Sequence, residues 1–513
     1  IMELARRSGG VPFLLVVVIL GIYPVFADRL PGLLMGIPYS FENMIESHVF
    51  RAEGMMGITT KIVAEIILGF LVFAGVLLAT GAGQFFIDLA NASFGKYRGG
   101  PAKVAVVASG FMGSLSGSIF SNIAGTGTIT IPAMKKVGYP AHYAAAIEAC
   151  ASTGGVVMPP VMGAIAFVMA ITIGVDYATI MIAAILPSLL FYLGLLIQID
   201  AYAAKKGLQP LDTRNLPSTR AVLLRGWPYL TVLLFLVWGL VYMRWEYYPP
   251  WLASLLMIVL SFFRAETRLT PRRVIDAMRQ IGALVTQTAA IILPIAFVVS
   301  ALTITGVTGS LTSGLVSMGG GNIYLVLLFG MMACFVMGMA GLAIVAYIFL
   351  SVTLAPAIIE VGGLNTVAVH FFIVYYAMLS VITPPVGAAA FLAGTIAGAK
   401  PMKTSFTAMR LGIVIYFVPL FFLFQPALVF QGDLTPLFYI LPSIIVGIIL
   451  ICGGLEGYLL GAGLVSQWLR LPLIIAGFLV SFPGPYTTLI GGMLSVLVVL
   501  FIYKRNQKVS RFA

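Results

Sequence analysis

The chain has 513 residues, of which 60% are hydrophobic and 9% charged, with a formal net charge of +12. A soluble domain carries about a quarter charged residues, so a water-soluble fold is excluded. Nucleic-acid binding is excluded as well, because the basic residues lie between apolar runs: Lys205, Lys206, Arg214, Arg220 and Arg225 in one loop, Arg264, Arg268, Arg272, Arg273 and Arg279 in the next, and Lys504, Arg505, Lys508 and Arg511 in the tail. A spanning helix needs roughly 20 apolar residues, and runs such as WPYLTVLLFLVWGLVYM from Trp227 meet that need without the alternation of a barrel strand. The chain therefore reads as an all-α polytopic membrane protein, with its basic loops on the cytoplasmic side.

The expected elements begin with a helix over 11–27, a polar interfacial stretch, a long helix over 57–82 and an amphipathic arm over 84–96. An unusual unit, 104–174, comes next, then a helix over 177–203 and the basic loop 205–226. Helices are expected at about 227–244 and 250–263, a basic stretch ends near Arg279, and a helix covers 283–305. A second unusual unit spans 322–399, and helices at about 405–425, 434–452, 456–482 and 485–503 complete the chain. Cys150, Cys334 and Cys452 lie in apolar segments without metal-ligand spacing and read as small buried residues. The chain starts at Ile1 and shows no signal peptide, which suggests that its N-terminus is incomplete.

The two unusual units look like copies of each other. FMGSLSG, IPAM and MPPVMGAIAF in the first are matched by FVMGMAG, APAI and TPPVGAAAF in the second. Gly113 and Gly338, and Pro159 and Pro384, lie 225 positions apart; Gly117 and Gly341, Pro132 and Pro356, and Phe167 and Phe391 lie 224 apart. Each copy opens with a small-residue run too long for one span, which reads as a hairpin that enters the membrane and returns. The first is expected to turn at the Gly and Asn breaks near Ser121–Gly127. Lys96, Arg98, Lys103, Lys135 and Lys136 put its base at the cytoplasmic face. Between Arg279 and Lys400 there is no Lys or Arg, so the second base, with Glu360 as its only charge, faces outward. Like sequences in opposite orientation make an inverted-topology repeat.

After each hairpin comes a helix with a Pro-Pro pair at the same place, Pro159–Pro160 and Pro384–Pro385. Adjacent prolines remove two backbone donors and clash with the preceding turn. One such kink is more often structural than functional. Two at matched repeat positions are the sequence signature of a secondary transporter's binding site, where open carbonyls face cations and helix N-termini face anions.

With these residues in view, the chain resembles the large membrane subunit of tripartite ATP-independent periplasmic (TRAP) transporters over about residues 10–425. The runs that carry the likeness are GGPAKVAVVASGFMGSLSGSIFSNIAGTGTITIPAMKKVGY with ASTGGVVMPPVMGAIAFVMA, and APAIIEVGG with VITPPVGAAAFLAGTIAGAKPMKT. Within that family it is most similar to the fused permeases that work with TAXI-type binding proteins: ARRSGG resembles the end of the fused small subunit, and LEGYLLG at Leu455–Gly461 resembles a C-terminal extension of that subgroup. Many relatives have Asp where this chain has Asn122.

The resemblance implies an inverted-repeat, elevator-type transporter with two re-entrant helical hairpins and two broken helices, in the bacterial inner membrane. It implies sodium as coupling ion, no organic cofactor, a small carboxylate as substrate, and a periplasmic TAXI-type binding protein as partner, with fused small-subunit helices partly missing here. The divisions follow: 1–28 the end of the fused small-subunit-like portion, 29–103 a scaffold helix and arm, 104–174 transport repeat 1, 175–321 scaffold helices and basic loops, 322–399 transport repeat 2, 400–425 a scaffold helix, and 426–513 extra helices.

Sodium requires hard oxygen ligands. The expected sodium ligands are Ser116, Gly117, Asn122, Gly125, Thr126, Gly154, Gly338, Gly341 and Thr383; the expected substrate contacts are Ser121, Asn122, Thr126, Ser152, Thr153, Pro159, Pro160, Thr383, Pro384 and Pro385. Any one hydroxyl taken alone is more often bonded to its own helix. Residues 104–203 carry only Lys135 and Lys136 as cations, so a deep anion would be held by helix N-termini, hydroxyls and bound ions. Glu148, inside the first broken helix, is expected either to find a partner in the interior or to serve a function, and His370 is placed near the outer interface. With three scattered histidines and no intramembrane acid pair, no catalytic constellation is visible and an enzyme is not expected. A stand-alone sodium- or proton-coupled carboxylate symporter is the alternative.

Overall fold

The computed structural model describes residues 1–210, 216–264, 266–339, 343–482 and 484–512. The first part of the chain forms α1 (Met2–Ile22), α2 (Phe41–Phe50), α3 (Leu68–Ala79), α4 (Ala82–Phe94), α5 (Gly100–Ser116), α6 (Ile119–Lys136), α7 (Ala141–Gly155), α8 (Ala164–Ile173), α9 (Tyr177–Ala183) and α10 (Ile185–Lys206). The middle forms α11 (Thr219–Val241), α12 (Pro249–Ser261), α13 (Pro271–Ile304), α14 (Val307–Met318), α15 (Ile323–Gly338), α16 (Ala343–Gly362) and α17 (Thr366–Leu379). The last part forms α18 (Ala388–Ala397), α19 (Pro401–Leu411), α20 (Val414–Phe424), α21 (Leu437–Glu456), β1 (Tyr458–Leu459), β2 (Gly463–Leu464), α22 (Gln467–Ser481) and α23 (Pro485–Phe512). Among the described residues, seven helices or near-continuous helix pairs are long and apolar enough to cross a membrane: 177–206, α11, α13, α16, 401–424, α21 and the apolar part of α23. Bulky apolar side chains such as Leu234, Phe438 and Trp468 stand exposed, as lipid-facing residues do.

The chain divides into two compact units. The first comprises Ile1–Gly83, Pro160–Met181 and Gly226–Val381, and the second Gln84–Pro159, Ile182–Arg225 and Ile382–Ala513. In the second unit α5 and α6 pack on each other, both pack on α7, and α18 packs on α6 and α7. In the first unit α15 packs on α16 and α17, α16 packs on α17, and α8 packs on both α16 and α17. Each unit thus holds one helical hairpin, the leading half of its own broken helix, and the trailing half of the other copy's. The sequence repeat is matched by a repeat of structure. Breaks, element ends and caps recur at the same offset: α7 and α17 end 224 residues apart, and α8 and α18 begin and end 224 apart. Gly174 and Gly398 close those helices in left-handed conformation, with φ of 76° and 67°.

Small residues let these helices approach. A Cβ on Gly113 of α5 would stand 2.7 Å from the Cα of Gly155 on α7. A Cβ on Gly338 of α15 would stand 2.7 Å from Ser380 Oγ at the end of α17. Only glycine fits at such crossings, and the repeat places one in each copy.

Several boundaries differ from expectation for local reasons. The first hairpin turns at Gly117, left-handed with φ 60°, followed by Ser118, whose hydroxyl caps α6 by accepting from the Ser121 amide. Ser121–Gly127 therefore lies inside α6 and not at a turn. The helix expected at 283–305 starts at Pro271, because Thr270 is a good N-cap and proline fits the first helical position. Arg272, Arg273 and Arg279 thus ride on a helix and not in a loop. The expected 456–482 helix is instead the short β1–β2 hairpin and then α22, since Gly457, Gly461 and Gly463 all take positive φ. The 57–82 helix opens with π-type turns over Met55–Thr59 and Ile62–Ile67, and the segment expected over 405–425 is the near-continuous pair α19–α20, which starts earlier at Pro401. The helix over 11–27 follows a separate helical segment from Met2, from which it is divided by a kink at Gly10 (φ 72°), and it ends at Ile22 in 3-10 turns.

The crossing at Gly113 gives a stability test. Gly113→Val lowers the thermal stability of the detergent-solubilised protein by about 1–3 kcal/mol, as overpacking does. Gly125→Ala, on an open face of α6 with nothing within 4 Å of the added carbon, raises it by up to about 1 kcal/mol. A null effect at Gly113 would refute the close approach.

Candidate functional site

The hairpin and the broken helix of the second unit meet over a polar stripe. On α6, Asn122, Thr126 and Thr130 follow at intervals of four and so share one helical face; on α7, Glu148 and Ser152 do the same. All five are buried, as is Ser109 on α5. The Glu148 carboxyl, fully out of solvent contact, accepts from Ser109 Oγ at 2.7 Å and from Thr130 Oγ1 at 2.6 Å. It also accepts from Thr126 Oγ1 and, at 3.4 Å, from Ser152 Oγ. Asn122 Nδ2 donates to the Ser109 carbonyl at 2.7 Å and so ties the two arms of the hairpin together. Three hydroxyls of the hairpin and one of the broken helix thus converge on one carboxyl. The expected interior partner of Glu148 is this set of hydroxyls and not a basic side chain.

Both helices are broken at the proline pairs. Eight residues, Val156–Gly163, separate α7 from α8, and eight, Ser380–Gly387, separate α17 from α18. The division between the two units falls within each break, between Pro159 and Pro160 and between Val381 and Ile382. Some freed carbonyls are satisfied locally. In the first unit the Tyr177 hydroxyl lies on the carbonyls of Pro160 and Val161. In the second, Ser405 Oγ donates to the Ile382 carbonyl at 3.0 Å, and the Gly387 amide to that of Thr383 at 3.0 Å. The trailing halves start on glycine: α8 after Gly163 and α18 after Gly387, neither with a side-chain cap. Their first N–H groups therefore keep their capacity for an anion.

The expected site residues separate into groups. In the second unit, Asn122, Thr126 and Ser152 join the Glu148 stripe. Thr153 is buried but donates to the Ala149 carbonyl of its own helix at 2.7 Å, and Gly154 packs against Phe191. Ser116 and Gly117 sit at the hairpin turn, where Ser116 Oγ donates to the Ser118 carbonyl at 3.4 Å. Ser121 and Gly125 are exposed on the outer face of α6, away from the stripe. Pro159 belongs to the first break, and Thr383, Pro384 and Pro385 to the second, where Thr383 Oγ1 bonds the Tyr416 hydroxyl of α20. Pro160 and Gly338 are in the first unit, with Gly338 committed to the α15–α17 crossing. Gly341 lies outside the described residues. His370 is buried in the first unit, with Nδ1 2.9 Å from the Tyr347 hydroxyl.

Sequence reasoning missed Ser109, Thr130, Tyr177, Ser405 and Tyr416. The period-four polar stripe on α6 and α7 was a visible signal for Thr130; nothing local marks the tyrosines, which act on backbone distant in sequence.

A profile of the family described as "Tripartite ATP-independent periplasmic transporter, DctM component" matches residues 1–437. The chain belongs to this family. The match to the large permease family ends as α21 begins, so β1–β2, α22 and α23 lie beyond it. The chain is 33% identical over 175 residues to the C4-dicarboxylate TRAP transporter large permease protein DctM of Pseudomonas aeruginosa, covering 34% of this chain and 38% of that protein. It is 25% identical over 366 residues to the isethionate TRAP transporter permease protein DctMQ of Oleidesulfovibrio alaskensis, covering 70% of this chain and 56% of that one. It is 28% identical over 139 residues to the sialic acid TRAP transporter permease protein SiaT of Haemophilus influenzae, covering 27% and 22%. The chain thus spans less than two thirds of the length of these curated relatives. With its apolar helices, a TRAP large permease of this kind is a multi-pass bacterial inner-membrane protein.

The polar stripe of the permease makes a further test. Asn122→Ala removes the tie between the hairpin arms and lowers thermal stability by about 1–3 kcal/mol, whereas Ser121→Ala, on the exposed face, stays within about 0.5 kcal/mol. Differential scanning fluorimetry of the purified variants separates the two.

Proposed function

We propose that this chain is the permease component of a sodium-coupled secondary transporter that imports a small carboxylate, delivered by a periplasmic TAXI-type binding protein, through an elevator movement. The observation that carries the reading is the pair of eight-residue breaks at matched positions, each opening on a glycine-started helix. Irregular backbone at membrane depth is tolerated only inside protein or beside a wet cavity, and paired breaks in repeated units are where midplane sites of secondary transporters are typically built. The names of the three relatives all denote small organic anions, which supports an anionic cargo.

The chain's own residues fit these ligands. No lysine or arginine lies between Arg279 and Lys400, so the second break offers an anion only helix N–H groups and hydroxyls. Each helix end contributes about 0.3–1 kcal/mol, more when dry, and this weak hold suits a carrier that must release its load. Among the described residues no cluster of His, Cys, Asp and Glu is arranged for a transition metal. The oxygens of Ser116, Asn122, Thr126 and Thr383 and the backbone of Gly117 and Gly154 are the hard donors a sodium ion takes. Sodium supplies positive charge beside the anion, so each ligand raises the other's affinity by the same factor. One net charge moving inward gains about 2.3 kcal/mol per 100 mV, and a tenfold gradient adds about 1.4 kcal/mol per ion.

Proteoliposomes test the reading. Labelled carboxylate enters only when a TAXI-type binding protein is supplied outside and sodium is directed inward; Thr383→Ala raises the half-saturating sodium concentration without equal loss of thermal stability. Uptake without any binding protein would favour a stand-alone symporter, and uptake indifferent to sodium would remove the coupling ion.

A further inference from the structure

The β1–β2 pair lies beyond the stretch that the family profile matches, yet it closes a groove against helices inside that stretch. The groove is a cavity of about 380 Å³. Its walls are apolar: Phe94 at the end of α4, Tyr97 in the α4–α5 connection, Leu196 and Ile197 on α10, and Leu460 between β1 and β2. All of these belong to the second unit. The walls are held in place by their own packing. Ile87 and Ala90 of α4 cluster with Val104 and Ala108 of α5, with Phe94 against them. β1 packs on α10 and α21. Asn506 Nδ2 of α23 donates to the Ala462 carbonyl at 2.6 Å and to the Leu464 carbonyl at 3.1 Å, which pins the strand pair.

One part of the groove is charged. Lys103 and Asp200 both line it, 2.6 Å apart, with side chains largely buried. Arg98 reaches the same carboxyl, and its guanidinium lies 5.7 Å from the centre of the Tyr458 ring on β1. The ammonium groups of Lys96 and Lys103 lie 5.4 Å and 5.7 Å from the centre of the Tyr97 ring. Lys96, Arg98 and Lys103 bring three positive charges here and Asp200 returns one, which leaves an excess of two. Lys96 is exposed, and among the described residues no carboxylate pairs with it. Lys504 and Arg505, exposed on α23 beside Asn506, extend the basic edge.

An apolar trough with a cationic end suits an amphiphile with an anionic end. Lys205 and Lys206 close α10 beyond Asp200, and this concentration of basic residues marks the cytoplasmic face. Basic pockets between helices on that face are suited to acidic lipid headgroups. Free phosphate would satisfy the cations and leave the apolar walls wet. A zwitterionic lipid would cover the walls and gain little from the excess charge.

We propose that this groove is a binding site for an anionic phospholipid of the cytoplasmic leaflet. One acyl chain lies along Phe94, Leu196, Ile197 and Leu460, and the phosphate sits over Lys96 and Arg98. Asp200 holds Arg98 and Lys103 in position for it. The bound lipid joins the α4–α5 connection to the β1–β2 pair beside α10, and so fastens a C-terminal segment that the family profile does not include. Neither the cargo nor the coupling ion enters into this site.

Delipidated protein in neutral detergent, titrated with phosphatidylglycerol or phosphatidylcholine, tests the site by native mass spectrometry and thermal unfolding. The wild type retains phosphatidylglycerol at least about fivefold better than phosphatidylcholine, and only phosphatidylglycerol raises its Tm. Lys96→Gln lowers the affinity for phosphatidylglycerol about fivefold, the weight of one basic residue beside an acidic headgroup. Lys136→Gln, exposed at the end of α6 among the same cytoplasmic cations, removes an equal charge and leaves that affinity unchanged. Leu460→Ser, at an exposed position of the wall, weakens retention of phosphatidylglycerol. Each of these variants keeps the wild-type Tm without lipid, so loss of fold does not imitate loss of the site. Inorganic phosphate alone leaves Tm where it was. Equal retention of the two lipids, equal losses in Lys136→Gln and Lys96→Gln, or a matching rise in Tm with inorganic phosphate would each overturn the assignment.

Discussion

Everything in this fold answers to the cost of leaving backbone polar groups unpaired in a lipid environment. That cost is several kcal/mol for each group, and two eight-residue interruptions would otherwise be prohibitive. The chain meets it with side chains held on other helices. Tyr177 covers the carbonyls of Pro160 and Val161, and Ser405 covers that of Ile382. Glycines at the crossings of α5 with α7 and of α15 with α17 let the helices close around the leading half of each broken helix. What remains unspent is the donor capacity at the starts of α8 and α18, where glycine replaces a capping residue. A serine or aspartate there would satisfy those N–H groups and remove them from use.

The exchange of trailing halves gives the repeat its mechanical sense. α18 packs with α6 and α7, while α8 packs with α16 and α17. A chain that simply duplicated a unit would keep each broken helix within its own copy. Here both breaks coincide with the passage from one compact unit to the other. The irregular backbone is thus the one place per repeat where two packed bodies are covalently joined, and a short unwound segment absorbs changes in φ and ψ that a continuous helix resists.

Much of this was legible in the sequence because it is periodic or punctuated. The Gly and Pro offsets near 224 located both breaks, and the apolar runs located most long helices. Composition alone placed the first hairpin turn too late, at Ser121–Gly127, because glycine in a helix interior looks the same as glycine in a turn; only Gly117 has the left-handed φ. The helix expected over 456–482 failed for the reverse reason, since glycines inside an apolar run were read through as helix. For the candidate site, hydroxyls near the breaks were readable as a class but not individually. Thr153 binds its own helix and Ser121 faces outward, whereas Asn122 and Thr126 turn inward, a difference of helical phase fixed by the packing of α6 on α5 and α7. Contacts such as Thr383 with Tyr416, 33 residues away, have no local trace at all.

Charge economy ties these features together. The matched repeats hold almost no fixed cations, and the strongly paired acids, Asp200 and Glu456, lie outside the helices that make the breaks. A permanent lysine or arginine at a break would hold an anion tightly and keep its charge in every state, so that loaded and empty forms would differ little in their need for a counter-ion. Hydroxyls and helix ends reverse that situation. On the reading proposed above, they hold an anion weakly by themselves, and the positive charge arrives with the cargo and leaves with it. Mobile charges in place of fixed ones are what make binding of one species depend on another, and that dependence is the physical content of coupling.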